Sequence, residues 1–200
     1  MKIYGIQIRT VERIPCGHLI SLMPYRYERA LKYLHREDRL LCLGAGLLMN
    51  RVLGIEEREL QYGEYGKPYA LGKAEFSISH GGNWAILSVG SQPVGVDIEP
   101  MNEANLSVAR RVFTGEELSW MKHDPLPRFH ILWTLKESIM KATGLGFQLD
   151  PAQFHVLPID GPNCINEQIW HKAWILHEGC AIACASANTI DGLEFEEILY

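Results

Sequence analysis

Residues 94–99 read Val-Gly-Val-Asp-Ile-Glu, and our interpretation of the fold starts from this stretch. Because side chains alternate between the two faces of a β-strand, the three branched apolar residues share one face. Gly95, Asp97 and Glu99 share the other face, so two carboxylates lie beside a residue that has no side chain. A solvated acidic strand face is one interpretation. A bound cation is the other, since neighbouring carboxylates repel each other and disfavour strands, and an all-oxygen ligand set is typical of Mg²⁺ or Mn²⁺.

A second polar motif lies in residues 133–144, which read Trp-Thr-Leu-Lys-Glu-Ser-Ile-Met-Lys-Ala-Thr-Gly. Helical spacing puts Trp133, Glu137 and Lys141 on one stripe at i, i+4 and i+8. We predict a helix over residues 128–143, ended by a glycine in the C-cap position. Glu137 and Lys141 form an ordinary surface ion pair in one interpretation. In the other, the stripe contacts a metal-bound phosphate.

Two further segments carry groups that suit phosphate. Ser79 and His80 lie where a predicted strand runs into a small-residue turn, whose backbone N–H groups can cradle phosphate oxygens. Arg26 and Arg29 lie three residues apart on a predicted helix, and Lys67 lies in a Tyr-Gly-Lys-Pro segment. The planar guanidinium of arginine matches a phosphate monoester. A tight β connection and solvated helix charges are the alternatives.

The composition excludes several classes of protein. With 47% hydrophobic residues, the 200-residue chain can build a packed core, and 19 basic against 24 acidic residues give a net charge of −5. This charge disfavours general binding to nucleic acid or to anionic membranes. The longest apolar run, residues 40–49, is shorter than the ~20 residues that a membrane-spanning helix needs. Residues 1–13 contain no signal-peptide core, so we expect a cytoplasmic protein.

The cysteines are expected to stay reduced in that compartment. Cys180 and Cys184 could combine with His171 and His177 in a zinc site. Both cysteines lie in apolar stretches, however, and we favour buried thiols.

The order of the predicted elements divides the chain into two similar halves. Each half has helices followed by short strands, which predicts two α+β lobes that meet near residues 100–105 and are related by duplication. In the first half, two helices separated near residues 35–38 lie between a strand at 2–8 and strands at 76–79, 84–89 and 94–99. In the second half, helices at 114–121 and 128–143 precede strands at 154–157, 169–176, 180–185 and 193–198.

Taken together and in this order, the four segments resemble the 4′-phosphopantetheinyl transferases, specifically the surfactin-synthetase-activating type. The signature of that family is a G-[VI]-D-[IL]-E strand followed by a W-x-x-K-E-[SA]-x-x-K-x-x-G helix, which stand here at 95–99 and 133–144. Its upstream Tyr-Gly-Lys-Pro and Ser-His segments stand at 65–68 and 76–80. The resemblance implies an α+β fold of two pseudo-twofold-related lobes, residues 1–102 and 103–200, with the cofactor cleft between them.

The resemblance also implies an activity and its substrates. The 4′-phosphopantetheine arm of coenzyme A would pass to a serine of an acyl or peptidyl carrier protein, and adenosine 3′,5′-bisphosphate would be released. Asp97, Glu99 and Glu137 are similar to the family's magnesium ligands, with Mn²⁺ as the alternative ion. The coenzyme A contacts that the family implies are Arg26, Arg29, Lys67, Ser79, His80, Asp97 and Lys141.

Roles in catalysis follow from the same resemblance. Glu137 is our first choice as general base for the incoming serine, with Asp97 as the alternative. Lys141 would contact the phosphate at which substitution occurs and stabilise charge on the leaving oxygen. Lys136 would help to offset the phosphate charges, and Trp133 would only pack the helix against the acidic strand. The family often has a basic or hydroxyl side chain where this chain has Leu-Leu-Cys at 40–42, so that one phosphate contact is either missing or supplied by Arg39. Glu117 would be structural or would support the site from behind its ligands.

Other functions remain open at this point. A Mg²⁺-dependent phosphatase or nuclease also fits an acidic strand beside a Lys-Glu helix, but the net negative charge argues against nucleic acid. A non-catalytic coenzyme A-binding module is the second alternative. We expect a monomer, and we expect the carrier protein to dock on residues 109–113, with Arg110 and Arg111, and on the following helix through Leu118 and Met121. The alternative is that this segment only packs the second lobe.

Overall fold

The computed structural model describes residues 1–200, apart from the side chain of Ala104. The α-helices span Ile8–Glu12 (α1), Cys16–Leu22 (α2), Pro24–Ala30 (α3), Arg36–Leu48 (α4), Ala109–Val112 (α5), Gly115–Met121 (α6) and Pro125–Thr143 (α7). The strands span Lys2–Gln7 (β1), Gln61–Tyr62 (β2), Pro68–Tyr69 (β3), Glu75–Gly81 (β4), Trp84–Gly90 (β5), Val94–Pro100 (β6), Asn163–Ile165 (β7), Gln168–His177 (β8), Cys180–Ser186 (β9) and Glu194–Glu197 (β10).

The larger strands form two four-stranded sheets, and β2 pairs with β3. The first sheet has the order β10-β1-β5-β4 and the second has the order β6-β9-β8-β7. Within them β1 and β10 are parallel, whereas the other neighbours are antiparallel. Antiparallel sheets flanked by helices confirm the predicted α+β class.

Each sheet is covered by one long helix. The apolar face of α4 packs on the first sheet in a core that includes Leu47 and Leu48. Helix α7 packs on the second sheet in a core that includes Leu132, Leu135 and Ile139. A third core lies between the sheets, where the apolar face of β6 meets Ile3, Ile86 and Ile182, among others. The predicted inward face of residues 94–99 is therefore confirmed.

The closest approach between a helix and a strand is that of α7 to β6 at Gly95. A Cβ atom placed on this glycine would lie 1.9 Å from the carbonyl oxygen of Ser138 and 2.5 Å from the backbone nitrogen of Ala142. Both atoms belong to the α7 backbone, which cannot move aside as a flexible side chain would. The axis of α7 is therefore seated directly against this strand.

Several predicted boundaries need correction. Residues 154–157 form no strand, because the backbone N–H of Val156 donates to the Glu117 carboxylate instead of to a neighbouring strand. The first two long helices are separated at residues 31–35, slightly earlier than predicted, and α7 begins at Pro125, since proline suits the first helical turn.

The last strand crosses from one half of the chain to the other. Although β10 lies near the end of the second half, it pairs with β1 in the first sheet. Its Phe195 ring occupies the space above Gly5, where a Cβ would lie 2.3 Å from the ring. The division at residues 102 and 103 stays a prediction, and this strand reaches across it.

The zinc interpretation is wrong, and the buried thiols are confirmed. His171 is opposite Ser186, whereas His177 is opposite Cys180, so the two histidines pair with opposite ends of β9. Cys180 and Cys184 are both buried. In the part of the chain that the structure describes, no helix combines the length and apolar character needed to cross a membrane.

Gly95→Ala tests the seating of α7 on β6. Because the added methyl group must displace helix backbone, we expect a loss of ~2–4 kcal/mol in the free energy of unfolding, measured by urea denaturation. Gly17→Ala is the matched control, since a Cβ at this helical position meets nothing within 4 Å. The control should be neutral or slightly stabilising. Equal stability of the two variants would contradict the proposed role of Gly95.

Candidate active site

The site lies at the seam where edge strands β4 and β6 of the two sheets run side by side. Side chains of β4, instead of a main-chain ladder, connect the strands here. The Ser77 hydroxyl accepts the backbone N–H of Val96 at 3.1 Å, and the Ser79 hydroxyl donates to Asp97 Oδ1 at 2.8 Å. The two sheets share no main-chain ladder at this point. The two serines therefore connect them, so that side chains of both sheets lie at the same seam.

Lys141 on α7 completes a three-membered cluster with Ser79 and Asp97. Its Nζ lies 2.6 Å from Asp97 Oδ1 and 2.8 Å from the Ser79 hydroxyl. The Asp97 side chain is almost fully buried, and its second oxygen, Oδ2, has no hydrogen-bond partner. A buried carboxylate oxygen without a donor is an open ligand position.

The negative charge of Asp97 affects the pKa values of Glu137 and Glu99. Burial, and then the negative charge of Asp97, raise the pKa of Glu137 to about 7, while the Lys141 ammonium opposes the shift. Burial and Asp97 also raise the pKa of Glu99. The sequence-predicted carboxylates are thus brought together, and their mutual repulsion in a partly buried site favours protonation when no cation balances them.

Trp133 does more than the packing that we predicted. Its side chain makes a hydrogen bond to Glu99, which opposes the rise in the pKa of that carboxyl. Indole has one N–H donor, so it orients the carboxylate without neutralising it. All three residues of the stripe, Trp133, Glu137 and Lys141, therefore interact with the acidic strand β6.

The donor chemistry of this cluster suits a hard divalent cation. All candidate ligands are carboxylate oxygens, and one of them, Asp97 Oδ2, is buried without a hydrogen-bond partner. In the arrangement described, the Lys141 ammonium holds the other oxygen of Asp97. Among the described residues, no three His, Cys, Asp or Glu side chains are gathered closely enough to enclose a metal ion as they stand. The residues fit the ion in charge and type, and Lys141 supplies the balancing charge in its absence.

Two adjoining cavities lie next to the cluster, with volumes of about 210 Å³ and 220 Å³. They share the wall formed by Gly66, Pro68 and Ile78. Together they fall within the roughly 300–1,000 Å³ of ordinary ligand pockets. The first cavity is lined in part by Lys141 and Lys67. The second cavity is lined in part by Arg26, Arg29 and His80.

Lys67 and His80 are placed differently from Lys141. The Lys67 ammonium donates to the carbonyl oxygens of Val94 and Ala142, so it ties the Tyr-Gly-Lys-Pro segment to β6 and α7. Burial lowers the pKa of Lys67. Partial desolvation, and then the nearby Lys141 ammonium, lower the pKa of His80. His80 therefore stays largely neutral at neutral pH until an anion arrives.

Arg26 and Arg29 both contact a residue that sequence reasoning missed. Arg26 Nε lies 2.6 Å from one oxygen of Glu57, and Arg29 Nη1 lies 2.9 Å from the other. Glu57 lies in a short 3₁₀ helix, Glu57–Glu59, outside every motif considered above. No signal in the sequence distinguishes it from the acidic residues beside it.

The predicted phosphate role of Lys136 is wrong. Its side chain is fully buried on a different face of α7, where Nζ lies 2.9 Å from Glu117 and donates to the backbone carbonyls of Pro151 and Phe154. The second oxygen of Glu117 accepts the N–H of Val156, so the predicted structural role of this glutamate is supported. Lys136 lies one residue from the stripe of Glu137, about 100° around the helix.

Arg39 also differs from the prediction. Its guanidinium donates to the backbone carbonyls of Tyr33 and Leu34. It lines a groove with Leu40 and Leu43 that is distinct from the two cavities described above. Because these contacts hold it at the turn between α3 and α4, Arg39 does not replace the missing basic residue near Cys42.

Comparisons with known proteins agree with the chemistry of this seam. The family model described as the 4′-phosphopantetheinyl transferase superfamily matches residues 93–185, which include β6 and α7. The 4′-phosphopantetheinyl transferase Sfp of Bacillus subtilis strain 168 is 33% identical over the full length of both chains. A second B. subtilis 4′-phosphopantetheinyl transferase is 30% identical, also over both full lengths. A third, ffp, is 34% identical over 78% of this chain and 76% of its own.

A site of clustered carboxylates beside a basic cavity defines a protein that handles phosphate esters. With full-length relatives at this identity, the chain belongs to the 4′-phosphopantetheinyl transferase superfamily. The family resemblance predicted from the four motifs is confirmed.

The Lys136–Glu117 pair makes a prediction about stability. Lys136→Met leaves the Glu117 carboxylate buried without its cation, and we expect a loss of ~3–5 kcal/mol in the free energy of unfolding. The double variant Lys136→Met, Glu117→Gln removes both charges and should recover part of that loss. Urea denaturation measures both. A loss below ~1 kcal/mol for the single variant would contradict the pairing.

The raised pKa of Glu137 predicts a pH dependence of stability. This carboxyl binds its proton more readily in the folded protein than in the unfolded chain, so it stabilises the fold at low pH. That contribution is lost as the pH rises from about 4.5 to about 7. In EDTA, Glu137→Gln should therefore gain roughly 2–8 °C in Tm over the unsubstituted protein between pH 5 and pH 8. A Tm difference that stays constant across this range would show that Glu137 does not titrate there.

Proposed function

We propose that this protein transfers the 4′-phosphopantetheine arm of coenzyme A to a serine hydroxyl of an acyl or peptidyl carrier protein, with Mg²⁺ (Mn²⁺ as the alternative) as the metal. The observation that carries the proposal is the seam itself. Lys141 contacts Asp97 there, Asp97 raises the pKa of both Glu99 and Glu137, one buried carboxylate oxygen lacks a donor, and an arginine-lined cavity lies nearby.

We assign the parts of the donor to the parts of the site by charge. Coenzyme A carries roughly four negative charges at neutral pH, on its diphosphate and its 3′-phosphate. Asp97, Glu99 and Glu137 would hold the metal, which when bound neutralises charge on the diphosphate oxygens. Ser79, His80 and Lys141 lie beside these carboxylates and would bind the diphosphate. Arg26 and Arg29 would bind the 3′-phosphate, and Lys67 would shape the wall between.

The reaction forms one P–O bond and breaks one. The carrier serine oxygen attacks the phosphorus that bears the pantetheine arm, and the bond from that phosphorus to the bridging oxygen breaks, releasing adenosine 3′,5′-bisphosphate. Glu137 takes the serine proton as the general base, with Asp97 as the alternative. Lys141 releases Asp97 and stabilises the charge on the departing oxygen. Most of the catalysis is thus positioning and charge stabilisation.

Hydrolysis and inactive binding fit the site less well. A phosphatase needs water as its nucleophile, whereas full-length similarity to 4′-phosphopantetheinyl transferases favours transfer. An inactive coenzyme A-binding module would tolerate loss of a carboxylate or of the lysine, yet Asp97, Glu99, Glu137 and Lys141 are all present. We therefore retain transfer as the function.

The remaining features belong to the same proposal. We propose that the enzyme acts as a cytoplasmic monomer of two lobes, residues 1–102 and 103–200, with its cofactor cleft at the seam. Exposed Arg110 and Arg111 support docking of an acidic carrier on residues 109–113, although Ala109 and Phe113 themselves are buried in the core of the second sheet.

Intact-mass spectrometry of an apo carrier protein tests the proposal. With enzyme, coenzyme A and Mg²⁺, the carrier should gain the mass of one phosphopantetheine arm, and EDTA should abolish the gain. Glu137→Gln and Lys141→Ala should each lower turnover by at least ~10²-fold, because each removes a group that acts on the reacting atoms. Circular dichroism should show both variants folded.

Glu167→Gln is the control, since Glu167 is exposed in the turn between β7 and β8. No mass gain on several acyl and peptidyl carriers, with coenzyme A bound in calorimetry, would leave the inactive binding module. No binding of coenzyme A would overturn the assignment of the site.

A further inference from the structure

Glu57 contacts the two arginines that line the second of the two cavities. Its Oε2 lies 2.6 Å from Arg26 Nε, and its Oε1 lies 2.9 Å from Arg29 Nη1. The carboxylate is 15% exposed, so both contacts are made in a mostly dry environment. One glutamate therefore pairs with two guanidinium groups: its contact with Arg29 is a hydrogen bond, whereas its contact with Arg26 Nε is an ion pair without hydrogen-bond geometry.

Glu57 contacts the Nε of the Arg26 guanidinium, whereas the two terminal nitrogens of this group contact no carboxylate among the described residues. Its side chain is 8% exposed and lines the cavity. In the part of the chain that the structure describes, Nη1 and Nη2 find only Cys42 Sγ, at 3.8 Å, and Met49 Sδ, at 3.9 Å. Sulfur is a weak acceptor. The two terminal nitrogens of a buried cation therefore lack a strong anionic partner, and both sulfur-bearing residues line the same cavity.

Arg29 is fixed by a second contact. Its Nη1 also donates to the Tyr62 hydroxyl at 2.8 Å, while 42% of its side chain is exposed. The hydroxyl and the carboxylate together restrict a side chain that would otherwise sample many rotamers. Arg26, Arg29 and Glu57 together carry a net charge of +1, which leaves the group attractive to a phosphate monoester.

Glu57 contacts the two arginines but does not itself line the cavity. Arg26, Arg29, Cys42 and Met49 line the cavity, whereas Glu57 does not. A carboxylate that competed with the ligand would have to lie in the ligand's place. Removing Glu57 would leave Arg26 as a buried charge without compensation, which favours displacement of the side chain towards water.

We infer that Glu57 is a positioning residue, which fixes Arg26 and Arg29 as the receptor for the 3′-phosphate of the donor nucleotide and so sets the preference for coenzyme A over 3′-dephospho-coenzyme A. The inference rests on the proposed function, because it assigns a role within the same donor site. It makes Glu57 a determinant of donor specificity that never touches the donor.

The comparison of two donors tests this role. Glu57→Gln keeps the size of the side chain and removes its charge, so the arginines lose their anchor. The KM for coenzyme A should rise about tenfold, while the KM for 3′-dephospho-coenzyme A changes less than about twofold, because that donor has no phosphate at this position. Glu57→Asp keeps the charge and should rescue part of the loss. Glu28→Gln removes an exposed charge from the same helix as the arginines and should change neither KM.

Each result has a distinct meaning. Equal changes for both donors would show a merely structural role and overturn the inference, as would no change. A lower KM for coenzyme A would show that Glu57 competes with the phosphate, which also overturns it. If the unsubstituted protein transfers nothing from coenzyme A, the proposed function fails. In that case, calorimetry measures the Kd of each donor. A rise in the Kd for coenzyme A, but not for 3′-dephospho-coenzyme A, in Glu57→Gln would support the role of Glu57. Thermal unfolding confirms that each variant is folded.

Discussion

The whole site depends on how closely one helix backbone can approach one strand. Helix α7 lies against β6 at Gly95, where any side chain would collide with the Ser138 carbonyl. This contact sets the distance between two residues of the helix, Glu137 and Lys141, and two residues of the strand, Asp97 and Glu99. A separation larger by the width of a methyl group would take the Lys141 ammonium out of reach of Asp97, which it now contacts at 2.6 Å. Packing and charge are therefore coupled, because the residue that permits the packing is two positions from the residue that carries the charge.

The acidic cluster is stable without a metal because two responses limit its charge. The Lys141 ammonium neutralises Asp97, and burial together with repulsion favours a proton on Glu137. Both responses are reversible, since the lysine is only hydrogen-bonded and the proton exchanges with water. The same design explains why the carboxylates can lie near a core made mostly of aliphatic side chains.

Much of the architecture could be predicted from local patterns, because those patterns have local causes. Alternation in residues 94–99 predicted a strand with its carboxylates on one face, and helical spacing predicted which side of α7 carries Glu137 and Lys141. The error for Lys136 was avoidable, since the same spacing places it away from that stripe. The strand expected at 154–157 failed for a different reason. Val156 donates to Glu117, 39 residues earlier in the chain, and no local pattern reports such a distant acceptor.

The arginines show the same limit. Their spacing on α3 predicted a pair of cations on one side of a helix, but not the carboxylate that organises them. Glu57 lies 28 residues from Arg29, and its neighbours Glu56 and Glu59 are spent on capping their own short helix. Only the folded chain distinguishes the glutamate that faces the cations from the two that do not.

The position of β10 has a consequence for how the protein is made. Strand β1 leaves the ribosome well before its parallel partner, residues 194–197, because Lys2 and its partner Glu194 are 192 residues apart in the chain (194 minus 2). Until those residues emerge, one edge of the first sheet has unpaired N–H and C=O groups and an unfilled hollow above Gly5, where Phe195 belongs. The early half can collapse around α4 during synthesis, but its sheet is completed only after residues 194–197 have emerged. The nascent protein thus carries an open β-edge while the residues between β1 and β10 are made, and a chaperone or a neighbouring nascent chain would meet that edge first.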